Sequence, residues 1–244
     1  MPPPSFSFAL PALFLLFVFP FSSAHSLSFH HDAHSLLSFK KHLITSDPNN
    51  SLADWSPTVP LCNWTAVTCG SRHPDRVVGI DLAAMDLRGT ISPSLGNLSF
   101  LRSLNLSENR LHGHIPPQLG RLFRLRWLLL DRNQLQGNIP HQLSGCRNLV
   151  SLALTFNNLS GNIPAELGSL SHLQYLSLGV NSLSGTIPSF LGNLSMLIDL
   201  EISENSMVGH IPPQLGLLPI CKFFTFIPMN CLAAFPFHCS ISPL

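Results

Sequence analysis

Leu101-Arg102-Ser103-Leu104-Asn105-Leu106-Ser107-Glu108-Asn109-Arg110-Leu111-His112-Gly113-His114-Ile115-Pro116-Pro117-Gln118-Leu119-Gly120-Arg121-Leu122-Phe123-Arg124 is followed at once by another copy of its own pattern. Working outward, six such segments of 24 residues begin at Val77, Leu101, Leu125, Leu149, Leu173 and Leu197, without an insertion, and end at Ile220. Gly occupies the thirteenth place of all six, at 89, 113, 137, 161, 185 and 209. Asn holds the ninth place in five, at 109, 133, 157, 181 and 205. The first segment departs there with Met85, and it has Ser92 where the others have Pro. A fixed period of this kind marks a repeat architecture.

The alternation Leu-x-Leu makes a short strand with its Leu side chains inward and the intervening residues outward. Successive coils stack these strands in parallel at about 4.8 Å, so six coils extend roughly 30 Å. Asn at the ninth place bonds backbone groups as the chain leaves the strand, and stacked copies form a ladder. Ile-Pro sets an extended return path, because Pro fixes φ and offers no N–H. No coil buries its apolar face alone, so the array needs capped ends. The reading is a leucine-rich-repeat solenoid over residues 77–220.

Composition excludes other classes. Hydrophobic residues make up 45% of the 244 and charged residues 10%, against about 25% charged in an ordinary soluble chain. Thirteen basic and 12 acidic residues leave +1, which argues against nucleic-acid binding, where basic residues cluster against phosphates. The chain is too apolar for intrinsic disorder. Six Cys are too few for a disulfide-dense scaffold.

Residues 1–24 read as a signal peptide, with an apolar run from 9 to 19 and Ser22-Ser23-Ala24 before the expected cleavage point. Pro11 and Pro20 break that run and argue against a membrane anchor. Residues 221–244 form an apolar tail rich in Phe, interrupted by Lys222, Pro228, Asn230 and Pro236. They are expected to be the product of a truncated or misread gene end rather than a designed module.

Residues 25–76 form the expected N-terminal cap. Asp32 is placed to cap a helix carrying Ala33, Leu36, Leu37, Leu43 and Ile44 on one side. Residues 47–50 read as a turn, followed by Leu52 and Trp55. Cys62 and Cys69 bracket a short segment. An exported chain favours their pairing, with two buried free thiols or a metal pair as the alternatives. Cys146 takes a Leu place and reads as a small core residue.

These stretches resemble a known family, the extracellular domains of plant leucine-rich-repeat receptor-like kinases. Asp32 through Trp55, followed by Cys62-x-Trp64-x-x-Val67-x-Cys69, is similar to their N-terminal cap. The repeat with Gly-x-Ile-Pro is the plant-specific form. The stretch 89–99 resembles the opening repeat of the immune-receptor subfamily that senses bacterial molecules. The resemblance covers residues 32–220 and implies an α/β repeat solenoid of six coils, with a parallel concave sheet and a helical, disulfide-bonded cap. It also implies recognition of a peptide, elicitor or receptor-kinase co-receptor at the cell surface or in the cell-wall space. Membrane association is expected only through a longer receptor. Ala66 stands where the family cap usually has Gly, a tolerable change if φ there is negative.

On the concave face, the outward places of the third coil are Trp127, Leu129, Asp131 and Arg132. Those of the fourth are Ser151, Ala153, Thr155 and Phe156, and those of the fifth Tyr175, Ser177, Gly179 and Val180. Trp127, Phe156 and Tyr175 are therefore expected as exposed aromatic anchors on adjacent coils. Asp199, Glu201 and Glu204 add an acidic patch suited to a basic peptide. The candidate ligand-binding set is Trp127, Leu129, Asp131, Phe156, Tyr175, Asp199 and Glu201. Glycosylation sequons stand at Asn49, Asn63, Asn97, Asn105, Asn158 and Asn193. Asn97 and Asn193, on the outer return path, are the favoured acceptors.

His30, His31 and His34 beside Asp32 read as a surface cluster rather than a metal site. No cofactor is expected, and no enzyme: kinase loops are absent from the sequence, and no catalytic constellation is supported. Two other readings remain. One is an inhibitor of a cell-wall hydrolase, similar to the polygalacturonase-inhibiting proteins, which have more repeats. The other is a receptor fragment without independent function.

Overall fold

The computed structural model describes residues 23–43 and 50–218. The apolar leader, Ile44, Asn49 and the tail from Cys221 onward lie outside the described residues, and of the turn at 47–50 only Asn50 is described.

The cap begins with helix α1, Ser23–Leu43. Leu36, Phe39 and Leu43, spaced three and four apart, form one buried stripe, with Ala33 and Leu37 packed partly buried beside it. Lys40 closes the helix onto the segment after it, its Nζ donating to the carbonyls of Leu52 at 2.5 Å and Trp55 at 3.1 Å. Trp55 stacks on Trp64 with ring centroids 5.5 Å apart. Both indoles are satisfied: Trp55 Nε1 donates to Thr65 O, and Trp64 Nε1 to Val59 O.

Two cap expectations need correction. Asp32 does not cap the helix, because the helix starts nine residues earlier. It is fully buried and reaches across to Arg76 and to the N–H of Val77. Ala66 has φ of +65° rather than a negative value, so it sits in the left-handed region that a Cβ disfavours. Cys62 and Cys69 are disulfide-bonded, with Cα atoms 5.6 Å apart.

Val67–Cys69 pairs antiparallel with Val77–Asp81 and opens a seven-stranded sheet. Ser103–Asn105, Trp127–Leu129, Ser151–Ala153, Tyr175–Ser177 and Asp199–Glu201 follow it, each parallel to the one before. The residues in register at their centre, Ile80, Leu104, Leu128, Leu152, Leu176 and Leu200, are buried. A second parallel sheet of five strands, Arg88–Thr90 to Ser182–Leu183, forms where the sequence promised only an extended return. Six 3-10 turns, from Pro93–Asn97 to Pro213–Leu217, complete the coils.

The departures of the first coil have structural reasons. Ser92 accepts a bond from Ser94 N, while the Ser94 hydroxyl donates to Ser35 O in α1 at 2.8 Å. Pro at 92 would lack the hydroxyl that accepts from Ser94 N. Gly89, with φ of +131°, lies against the end of α1, where a Cβ would collide with the His42 carbonyl.

Each ladder Asn joins its own coil to the preceding one. Asn157 Nδ2 donates to Leu154 O in its own coil and to Leu130 O in the coil before, both at 3.0 Å. Its Oδ1 accepts from Leu135 N at 2.9 Å. The other four repeat the pattern. The first coil has no coil of the same register before it, and Met85 there packs against the core instead. Cys146 is fully buried, its Sγ against Leu119 O at 3.2 Å. Burial pushes its thiol up to about 12.

Candidate recognition surface

The strand register turns sequence places into rows. Trp127, Ser151, Tyr175 and Asp199 lie side by side, as do Leu129, Ala153, Ser177 and Glu201. Trp127 and Tyr175 are exposed at 38% and 42% and stand two strands apart, about 9.6 Å, with half-buried Ser151 as the floor between them. The third expected anchor, Phe156, is also exposed but belongs elsewhere. It follows its strand at φ of +56°, and the Arg132 guanidinium covers its ring at 4.5 Å. Among the described residues the three rings do not touch one another. The structure therefore brings Trp127 and Tyr175 together and leaves Phe156 at the end of the strands.

The acidic side is more enclosed than the sequence indicates. Glu201 folds back over Gly179, whose missing Cβ would fall 2.7 Å from Glu201 Oε1. It reaches Thr155, whose hydroxyl donates to Oε2 at 3.4 Å. One side chain thus spans three coils. Thr155 and Gly179, expected on the open face, are buried, because Glu201 lies over them.

Burial raises the Glu201 carboxyl above the ordinary range; the Thr155 bond opposes this, and the charges of Asp199 and Glu204 add to it. Burial likewise raises Asp199 and Asp131. Such groups hold their protons more readily, and a cation at the row end would favour their charged forms. Leu129 and Asp131 are half-buried beside this row.

Of the sequons, Asn63, Asn97, Asn158 and Asn193 are exposed. Asn105 is half-buried on the sheet, its Oδ1 accepting from both the N–H and the hydroxyl of Ser107. Among the described residues no group of three His, Cys, Asp or Glu side chains is arranged to hold a metal.

Residues 29–70 match the family described as leucine rich repeat N-terminal domain. Residues 100–122, 124–146, 148–170 and 172–194 match leucine rich repeat. The BIR2 ectodomain from Arabidopsis thaliana is 35% identical and superposes with a TM-score of 0.65, over 78% of this chain and 98% of that one. The chain belongs to the plant leucine-rich-repeat receptor ectodomains.

The chain spans about a tenth of the length of the curated receptor kinases it matches. The LRR receptor-like serine/threonine-protein kinase EFR of Arabidopsis thaliana is 43% identical over 105 residues, covering 43% of this chain but 10% of that protein. The Arabidopsis receptor kinase HAESA, solved with the peptide hormone IDA and the co-receptor SERK1, is 36% identical with a TM-score of 0.72. That likeness covers 81% of this chain and 33% of that one. Among the described residues of this receptor ectodomain, no helix is long and apolar enough to cross a membrane.

The sequence reading missed one feature of the site. Arginines at the last and second places of consecutive coils, Arg124, Arg102 and Arg126, gather with Phe100 along the rim that precedes the strands. Its signal in the sequence is Arg at two fixed repeat places that lie just outside the strand places.

Proposed function

We propose that the chain is an extracellular, non-catalytic recognition module whose seven-stranded sheet binds a peptide or protein segment in plant defence or signalling. The observation that carries this reading is the row Trp127–Ser151–Tyr175–Asp199, which places two exposed rings around a small floor and ends in a carboxylate. A segment with an apolar side chain next to a basic one fits it: the apolar group between the rings, the cation against Asp199 and Glu201. HAESA, solved with a peptide hormone and a co-receptor, supports a similar division of partners here. The secreted location and the expected signal peptide belong to the same proposal.

The test is selection of binders from a displayed random-peptide library against the full chain, followed by titration of the selected peptide. Trp127→Ala and Tyr175→Ala should each weaken binding about 30-fold, the scale of a central aromatic anchor. Unchanged affinity in both would remove the row from the ligand site.

A further inference from the structure

The 24-residue period also aligns the last places of the coils. Phe100, Arg124, Asn148 and His172 occupy those of the first four, and Arg76, the last residue of the cap, stands 24 residues before Phe100. Phe100 is therefore flanked along the stack by one arginine on each side, their guanidinium carbons 4.2 Å and 4.3 Å from its ring centroid. His73 meets the same ring edge-on at 4.9 Å. Two places further along the chain, Arg102 and Arg126 are neighbours, with Arg126 N donating to Arg102 O at 2.8 Å.

Arg72, His73, Phe100, Arg102 and Arg124 wall a groove of about 720 Å³. Arg102 and Arg124 continue it into a second hollow of about 510 Å³, walled also by Phe123, Arg126, Val150 and His172. Among the described residues no acidic side chain lines either part. Asp32 neutralises Arg76, but Arg72, Arg102, Arg124 and Arg126 have no carboxylate at ion-pair distance among the described residues. In a chain of net charge +1, this is a local concentration of unpaired positive charge.

We propose that this groove is a second docking site beside the Trp127–Tyr175 row, which it meets where the Arg126 guanidinium lies 4.8 Å from the Trp127 ring centroid, and that its partner is an acidic peptide segment with apolar side chains among its carboxylates. Guanidinium forks take carboxylates in bidentate pairs. Stacking on Phe100 restrains the Arg124 head before anything binds, which lowers the ordering cost. The apolar share of the wall chooses among anions. Phe123 is 48% exposed and, with Val78 and Val150, offers cover for apolar side chains, which an anionic sugar chain lacks. Four coil steps separate the Arg76 and His172 places, roughly 19 Å, the length of about six extended residues.

The full chain would be titrated with a fluorescein-labelled peptide, Glu-Leu-Asp-Phe-Glu-Leu-Asp-Phe, by anisotropy at low and raised salt. Binding should weaken with salt and fall about tenfold in the double variant Arg102→Ala/Arg124→Ala. The variant Arg110→Gln/Arg121→Gln removes the same charge elsewhere and should stay within about twofold. If the alanine pair unfolds, Arg102→Lys/Arg124→Lys keeps the charge but loses the fork, and should bind several-fold more weakly than the parent. No binding of the acidic peptide would overturn the proposal. So would equal losses in the alanine and glutamine pairs, which indicate diffuse attraction. Arg102- and Arg124-dependent binding of an oligogalacturonate in place of the peptide would also overturn it, in favour of a carbohydrate partner.

Discussion

The Asp32 carboxylate holds the Arg76 guanidinium from 44 residues away, with Nε to Oδ2 at 3.0 Å and Nη2 to Oδ1 at 3.2 Å. The same Oδ2 accepts from Val77 N at 3.0 Å, so one fully buried group joins the cap helix to the first strand of the array. Asp32→Ala would leave a mostly covered guanidinium and a buried N–H without their acceptor. A loss of about 3–5 kcal/mol is expected, read by urea denaturation. A loss below about 1 kcal/mol would show that the cap and the array are not coupled through this group.

Ala66→Gly should stabilise the cap. At φ of +65° a Cβ crowds the backbone, and Gly removes that strain while adding freedom to the unfolded chain. The net gain expected is about 0.5–1 kcal/mol, visible as a higher thermal midpoint. A lower midpoint would mean that the packing of the Ala66 methyl outweighs the strain.

Asn157→Ala should break one rung of the ladder. It frees the carbonyls of Leu130 and Leu154 and the N–H of Leu135 together, with about 3 kcal/mol lost. Hydrogen exchange provides a local check: the Leu135 amide should exchange faster, while Val77, at the far end of the array, changes far less.

Glu201→Gln should act through pH. The folded-state pKa of Glu201 is raised, chiefly by burial, so the folded form holds its proton to a higher pH than the unfolded chain does. Stability from this group is therefore complete below the unfolded value and is lost as pH rises through the folded value. The Gln variant should melt higher than the parent near pH 7, with the difference gone by about pH 3, below the ordinary Glu value of about 4.3. An equal difference at both pH values would assign the effect to packing.

Glycan occupancy should follow exposure and side-chain bonding. Expressed in a glycosylating host, Asn97 and Asn193, both exposed at the ends of outer 3-10 turns, should be modified. Asn105, whose amide oxygen is held by Ser107, should remain bare. Peptide mass spectrometry after glycosidase treatment decides it, and full occupancy at Asn105 would contradict this ordering.

The period made most of the fold legible, because Leu, Asn, Gly and Pro each answer to a local constraint that recurs every 24 residues. Buried Leu128 and exposed Trp127 follow directly from alternation. What did not follow was anything set by contact between coils. Glu201 covering Gly179 requires knowing that the seventh place of one coil lies beneath the fifth-place side chain of the next. Asp32 looked like a helix cap because capping is a local rule, whereas its partners, Arg76 and Val77, are distant in sequence. Phe156 shares outward repeat places of adjacent coils with Trp127 and Tyr175, but it holds the eighth place and they the third, and register separates them.

Every side-chain bond made by a ladder Asn points toward the amino terminus, whereas the backbone N–H of Asn109, Asn133, Asn157 and Asn181 donates to a carbonyl of the next coil. Asn205, for example, meets Ile202, Leu183 and Leu178, all of them earlier in the chain. A rung is therefore complete once its own coil is laid on the one before, and it needs nothing from a coil not yet made. A chain emerging from its amino terminus can close each rung as it appears. Adding or removing a whole coil at the far end likewise leaves every ladder side chain with its partners, so the length of such an array can change while the rungs of its interior stay fixed.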